Sequence, residues 1–239
     1  WDIARRFARR GVHAFALAYR VGPDDTDDDE TAADRPPTYL RALQDVQRAV
    51  SFVRAHAEAW RLDPERIGVC GFSAGGYLAA LASTRAEPTY AVVDDIDAPP
   101  RPDFAVLVYP SRLVEADDPN SLVPEVRVDA DTPPAFVAQA TDDRVATYRN
   151  AMTYFAALVD HGAAGAASQL LIEGVGNHGF ETNAVCLATF PETPYATTPQ
   201  ICHWMDSVLR WLNATLHVFG DEEFEESPSA ALVAAAADG

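Results

Sequence analysis

The sequence contains no lysine, few cysteines and no long apolar run. All 18 basic residues are arginines, and they face 36 acidic residues, so the net charge at pH 7 is −18. Because nucleic-acid binding requires basic side chains that neutralise phosphates, we expect no nucleic-acid partner. No stretch approaches the length of about 18 apolar residues that a membrane-spanning helix needs, so we expect no membrane partner.

The three cysteines are Cys70, Cys186 and Cys202. They are too few and too scattered for a disulfide framework, and no CxxC pair suggests a zinc site. A chain of 239 residues buries roughly 70% or more of its unfolded surface, so it needs no disulfide or structural metal ion for stability. We therefore expect reduced cysteines and no metal, which favours a cytoplasmic location, although a removed signal peptide would leave no trace.

The acidic composition has two open explanations. Alanine is abundant and arginine replaces lysine throughout, as GC-rich coding favours. Alternatively, a dense carboxylate surface stays hydrated at high salt, where ions screen its self-repulsion. Composition alone does not separate a GC-rich origin from adaptation to salt.

Apolar runs typical of buried strands alternate with segments of helical periodicity, which predicts a mostly parallel sheet flanked by helices. The strands are predicted at 12–19, 67–70, 104–109, 135–140 and 169–172, and the helices at 2–10, 38–60, 74–85, 148–159 and 199–216. We expect one domain over residues 1–220. The Pro- and Asp-rich stretch at 23–37 is interpreted as a solvated loop, and the acidic, alanine-rich segment 221–239 as a mobile tail.

Residues Gly71 to Gly76 read GFSAGG and match G-x-S-x-G. A predicted strand precedes them and a predicted helix follows, which is the context of a nucleophile elbow. We expect the tight turn to hold the Ser73 hydroxyl above the sheet edge and the backbone N–H of Ala74 to stabilise an oxyanion. The alternative is a glycine-rich turn with an inert serine.

A nucleophilic serine needs a base and an acid, which follow it in this order along the chain in hydrolases of the elbow type. His178 lies in a glycine-flanked loop just after the last predicted strand, so we predict that it is the base. The other five histidines are interpreted as structural: His13, His56, His161, His203 and His217. Asp142 and Asp143 follow the C-terminal end of the strand predicted at 135–140. We choose Asp143 as the acid and expect Asp142 to turn the loop or cap the next helix.

The stretch from Leu43 to Ala80, with RPDFAVLVYP, DTPPAFVAQATDDRV and GNHGF, resembles the α/β-hydrolase fold. Within it, the resemblance is to small carboxylesterases of the acetyl-xylan-esterase and feruloyl-esterase-like group, and it covers about residues 2–212. It implies a Ser73, Asp143 and His178 triad and ester substrates with small acyl groups, such as acetyl, on a small molecule or a carbohydrate. Nucleophilic catalysis by such a triad needs no metal or organic cofactor, so we expect none. Asn177 stands where the family usually has glycine.

The sequence departs from this family at the HGGG-type loop, which supplies the second oxyanion donor and is missing. The strand that precedes that loop is missing too, and it would lie between the strands at 12–19 and 67–70. Its absence leaves a gap in the sheet with unpaired backbone groups. We therefore expect either a fragment with an N-terminally incomplete fold and a second oxyanion donor outside this chain, or a sheet completed by another segment.

Three aromatic residues flank the predicted catalytic positions: Phe72, Tyr77 and Phe180. They are candidates for substrate binding, and a place in the core is equally compatible with the sequence. Two other functions stay open beside an esterase. One is a non-catalytic hydrolase-like module of a larger assembly, and the other is a serine peptidase of the prolyl-oligopeptidase type. The oligomeric state is not indicated.

Overall fold

A parallel sheet of six strands forms the centre of the computed structural model, in the order β1-β6-β2-β3-β4-β5. The structure describes residues 2–21, 38–93, 98–161, 167–181, 186, 199–216 and 229–235. The strands are β1 (His13–Leu17), β2 (Leu62–Phe72), β3 (Phe104–Val108), β4 (Ala135–Ala140), β5 (Gln169–Glu173) and β6 (Ser229–Ala235). The mostly parallel sheet predicted from the sequence is therefore confirmed.

Helices cover both faces of the sheet. They are α1 (Asp2–Ala8), α2 (Thr38–Ala55), α3 (Ala57–Trp60), α4 (Ala74–Ser83), α5 (Arg149–His161) and α6 (Trp204–Leu216), the last preceded by a 3-10 turn over Gln200–His203. One core cluster joins α2, α4 and α5 to the sheet, and a second joins α1 and α6 to the opposite face. Successive strand residues alternate between the clusters, as Val137 and Ala138 do, because side chains in a strand point to opposite faces.

Several predicted boundaries shift in the structure, and two of the shifts lie in the segment before Ser73. The helix predicted over 38–60 is interrupted at His56, and a short helix continues to Trp60 before Arg61 adopts a left-handed conformation with φ 54°. Strand β2 is longer than predicted and begins at Leu62. Three predictions lie outside the described residues: the loop at 23–37, the role of His217, and the tail at 221–228 and 236–239. Among the described residues, no helix is long and apolar enough to cross a membrane.

The expectation of a mobile C-terminal tail is wrong for residues 229–235, because they form β6 in the middle of the sheet. Ala231 pairs with His13 on one side and with Ile67 on the other. Leu232 and Val233 are buried in opposite core clusters. The short apolar run SAALVAA thus satisfies the backbone groups that β1 and β2 present to each other. This pairing is the arrangement expected under the alternative in which another segment completes the sheet.

We predict that Val233→Asp destabilises the fold by more than about 4 kcal/mol, because it buries an unpaired carboxylate in the core. The matched control is Val92→Asp, since Val92 is 50% exposed whereas Val233 is 1% exposed. The control is expected to change the free energy of unfolding by less than about 0.5 kcal/mol. Urea unfolding followed by tryptophan fluorescence measures both variants. Equal stability of the two would place the C-terminal segment outside the sheet.

The expectation of unpaired cysteines is also wrong for two of the three. Cys186 and Cys202 form a disulfide with a Cα–Cα distance of 5.8 Å, while Cys70 is buried and free. Spacing in the sequence did not show this pair, because the fold brings together two positions that are 16 residues apart. Disulfides are typical of oxidising compartments, so the cysteines give no support to a cytoplasmic location.

The turn between β2 and α4 is too tight for a side chain at Gly71. A Cβ atom built there would lie 1.9 Å from the carbonyl oxygen of Gly75. Gly76 is similarly close to Pro110, at 2.9 Å from its Cβ. The backbone of α4 can therefore begin directly against the end of β2 because these positions are glycines.

We predict that Gly71→Ala destabilises the protein by about 3 kcal/mol or more, because the clash is with backbone that cannot move without displacing α4. Gly174→Ala is the matched control, since nothing lies within 4 Å of a Cβ at that position. The free energy of unfolding of the control is expected to stay within about 0.5 kcal/mol of the parent value or to increase slightly. Thermal unfolding by circular dichroism compares them, and similar midpoints would contradict this view of the turn.

Candidate active site

Ser73 sits at the turn between β2 and α4 in a strained backbone conformation, with φ 52° and ψ −116°. Its N–H donates to the Val108 carbonyl at 3.1 Å, and its own carbonyl accepts from the N–H of Ser111 at 3.2 Å. The strain is typical of a serine whose hydroxyl is held out for chemistry. Because α4 begins at Ala74, the N–H of that residue has no partner four residues earlier and the positive helix end lies at the serine.

The structure brings His178 and Asp143 to this serine. The Ser73 hydroxyl donates to His178 Nε2 at 3.1 Å, and His178 Nδ1–H donates to Asp143 Oδ2 at 2.8 Å. The Asp143 side chain is fully buried, whereas that of His178 keeps 24% of its surface exposed. The three residues chosen from the sequence therefore form one hydrogen-bonded line from a buried carboxylate to an accessible hydroxyl.

Asp143 uses its two carboxylate oxygens for different purposes. Oδ1 accepts from the backbone N–H groups of Val145 at 2.8 Å and Ala146 at 2.9 Å. Oδ2 accepts from His178 and, at 3.2 Å, from the side-chain amide of Gln139. The carboxylate is thereby fixed in orientation, and one oxygen stays directed at the imidazole.

Asp142 was expected to turn its loop or cap the next helix, but the backbone N–H groups that follow the pair donate to Asp143. Instead the Asp142 carboxylate accepts from the N–H groups of Asn177 at 2.8 Å and Gly176 at 3.3 Å. It therefore ties the end of β4 to the loop that carries His178. Asn177 has φ 56°, a left-handed conformation that asparagine tolerates better than most residues other than glycine.

The sequence reasoning missed Gln139, Tyr109 and Glu181. Gln139 is fully buried and donates to Asp143 Oδ2. The Tyr109 ring lies 4.5 Å from the His178 ring, centre to centre, and its hydroxyl donates to Glu181. One signal was present for Gln139, because a glutamine interrupts the apolar run AFVAQA just before the aspartate pair. The contact between Tyr109 and Glu181 joins distant segments and left no local pattern.

Burial corrects part of the interpretation of the three flanking aromatic residues. Phe180 is 1% exposed and Tyr77 is 6% exposed, so both belong to the core. The Tyr77 hydroxyl donates to Glu125 at 2.7 Å, which satisfies it without a substrate. Phe72 is partly exposed beside Ser73 and packs against Tyr109 and Trp204. It remains the aromatic candidate for a wall of the site.

Four of the other histidines lie on described elements away from this line. His13 is on β1, His161 ends α5 and His203 is in the 3-10 turn. His56 Nδ1–H donates to the Phe52 carbonyl at 2.8 Å. Within the described ranges, no cluster of three His, Cys, Asp or Glu residues could hold a metal ion.

This geometry can move a proton from a hydroxyl to an imidazole while a buried carboxylate stabilises the charge that forms. The Ala74 N–H at the start of α4 lies next to the serine, where negative charge develops on a bound carbonyl. Such an arrangement is suited to acyl transfer through a serine.

Comparisons with known proteins show what the chain is similar to. The BD-FAE family model matches residues 33–108. An acetylxylan esterase of Xylanibacter ruminicola is 31% identical over 160 residues, which is 57% of this chain and 30% of the relative. An acetyl ester-xyloside bifunctional hydrolase of Caldicellulosiruptor lactoaceticus is 25% identical, with a TM-score of 0.64 over 90% of this chain and 75% of its own.

A second solved structure comes from a deep-sea metagenome library and is an α/β hydrolase enzyme. It is 25% identical to this chain, with a TM-score of 0.63 over 90% of this chain and 76% of its own. The chain spans only about a quarter to a third of the length of the curated relatives it matches. It has the α/β-hydrolase fold, and in sequence and structure it is similar to acetylxylan esterases and other carboxylesterases with that fold.

Proposed function

We propose that this chain hydrolyses carboxylic esters by way of an acyl-enzyme on Ser73. The observation that carries the proposal is the hydrogen-bonded line from Asp143 through His178 to the Ser73 hydroxyl. The similarity of the chain to an acetylxylan esterase supports the same chemistry. Small acyl groups, with acetyl on a carbohydrate as the leading example, are the proposed substrates.

In the proposed reaction, Ser73 attacks the ester carbonyl while His178 Nε2 takes the hydroxyl proton. Asp143 stabilises the imidazolium that forms. The Ala74 N–H stabilises the oxyanion of the tetrahedral intermediate, together with a second donor from outside this chain. His178 then protonates the leaving alcohol, and a water activated by the same imidazole releases the carboxylic acid. His178 Nε2 accepts or returns the proton in each step of this scheme, and it returns the water proton to the Ser73 oxygen at the end.

Covalent labelling with a fluorophosphonate probe tests the nucleophile. We expect the parent chain and Ser83→Ala to be labelled and Ser73→Ala to be unlabelled, since Ser83 lies at the far end of α4 with its hydroxyl bonded to the Ala79 carbonyl. Hydrolysis of p-nitrophenyl acetate should fall by at least about 10³-fold in Ser73→Ala.

The same assays in low and in molar salt separate the two explanations of the acidic composition, because a salt-adapted chain would need the higher salt for full activity. A proline-containing p-nitroanilide peptide tests the peptidase alternative. A folded chain that is neither labelled nor active in either buffer would favour a non-catalytic module.

The aspartate pair gives a second prediction. Asp143→Asn should lower kcat by about 10³–10⁴-fold, because an amide in place of Oδ2 no longer stabilises the imidazolium or holds its tautomer. Asp142→Asn keeps an acceptor for the loop N–H groups and is expected to lose less than about 10-fold. Steady-state kinetics with p-nitrophenyl acetate compare the two variants. A larger loss in Asp142→Asn than in Asp143→Asn would show that Asp143 is not the acid of the site.

A further inference from the structure

The loop that carries His178 is anchored from two sides. Residues 174–181 contain three glycines, so the loop has little conformational preference of its own. Asp142 binds its near side through two backbone N–H groups. At its far side the Tyr109 hydroxyl donates to the carboxylate of Glu181, which follows His178 by three residues.

Tyr109 is itself rigidly placed. It follows β3 directly, its N–H donates to the Ala138 carbonyl at 2.7 Å, and it is 3% exposed. Its φ of 37° is strained for a residue other than glycine, which indicates that its surroundings hold it in place. The ring packs edge-on against Phe180 at 4.9 Å and lies 4.5 Å from the imidazole.

Glu181 is fixed by more than this one contact. Its backbone carbonyl accepts from the Trp204 indole N–H at 3.3 Å, which joins the end of the loop to α6. Burial, together with the hydrogen bond to Glu181, raises the pKa of Tyr109. The phenol therefore stays protonated and continues to donate over the whole range in which an esterase works.

We infer that Tyr109 and Glu181 are positioning residues for His178, a role that rests on the proposed function. Their hydrogen bond closes the far side of the loop, and the Tyr109 ring limits the tilt of the imidazole. Without the bond, the far side of the loop depends on the Trp204 contact to the Glu181 backbone carbonyl, and the imidazole samples orientations in which Nε2 misses the Ser73 hydroxyl. Small displacements of this kind cost rate because the proton transfer depends on alignment.

The test compares Tyr109→Phe, Glu181→Ala and the double variant in p-nitrophenyl acetate hydrolysis. Tyr109→Phe keeps the ring and removes the hydroxyl. We expect each single variant to lower kcat by about 10- to 100-fold with KM within about twofold of the parent value. Because both changes remove the same bond, the double variant should be about as slow as the slower single variant.

Two controls separate positioning from general stability. Tyr154→Phe removes the hydroxyl of another buried tyrosine, one with no hydrogen-bond partner among the described residues, and should leave kcat unchanged. Glu181→Gln keeps an acceptor oxygen for Tyr109 and should restore kcat to within about threefold of the parent. Losses that multiply in the double variant, or a parent-like Tyr109→Phe, would overturn the inference.

Hydrogen exchange gives a readout that does not depend on activity. Peptides that cover 174–181 should exchange faster in Tyr109→Phe and Glu181→Ala than in the parent, and at the parent rate in Tyr154→Phe. If the parent chain is inactive but the loop loosens as expected, the anchoring stands and the proposed function fails. If the parent is active and the loop exchanges equally in all variants, the inference fails and the proposed function stands.

Discussion

The turn between β2 and α4 is the constraint on which the site depends. Gly71 and the start of α4 approach so closely that a Cβ would overlap the Gly75 carbonyl. This approach leaves Ser73 in a conformation, φ 52° and ψ −116°, that an unconstrained serine rarely adopts. The strain places the hydroxyl beside the helix N-terminus and within reach of an imidazole from another loop. It persists because hydrogen bonds to Val108 and Ser111 hold the serine backbone on both sides.

The sheet makes that turn possible by aligning the carboxyl ends of its strands at one edge. Ser73 follows β2, the aspartate pair follows β4 and the His178 loop follows β5, so three segments far apart in sequence meet above the same edge. β2 can hold its place because β3 pairs with it on one side and β6 on the other. The C-terminal strand therefore supports the nucleophile, although it contributes no side chain to the hydrogen-bonded line.

Local signals in the sequence predicted the parts of this structure that depend on local physics. The elbow, the histidine loop and the aspartate pair each follow a short apolar strand, and glycine or aspartate patterns mark their turns. The parts that were missed depend on distant partners. The segment SAALVAA is too short and too rich in alanine for its sequence to show that it is a strand. Its position depends on β1 and β2, which both pair with it. Cys186 and Cys202, and likewise Tyr109 and Glu181, meet through the fold alone.

The buried carboxylate of Asp143 shows why the high net charge and the site geometry are largely separate matters. Four donors surround it: two backbone N–H groups, the Gln139 amide and the His178 imidazole. These contacts are short, buried and therefore weakly screened by salt. The remaining acidic excess acts over longer distances at the surface, where ions do screen it. Salt is thus able to change the stability or solubility of the chain while the line from Asp143 to Ser73 keeps its geometry, because direct hydrogen bonds around a buried carboxylate fix that line.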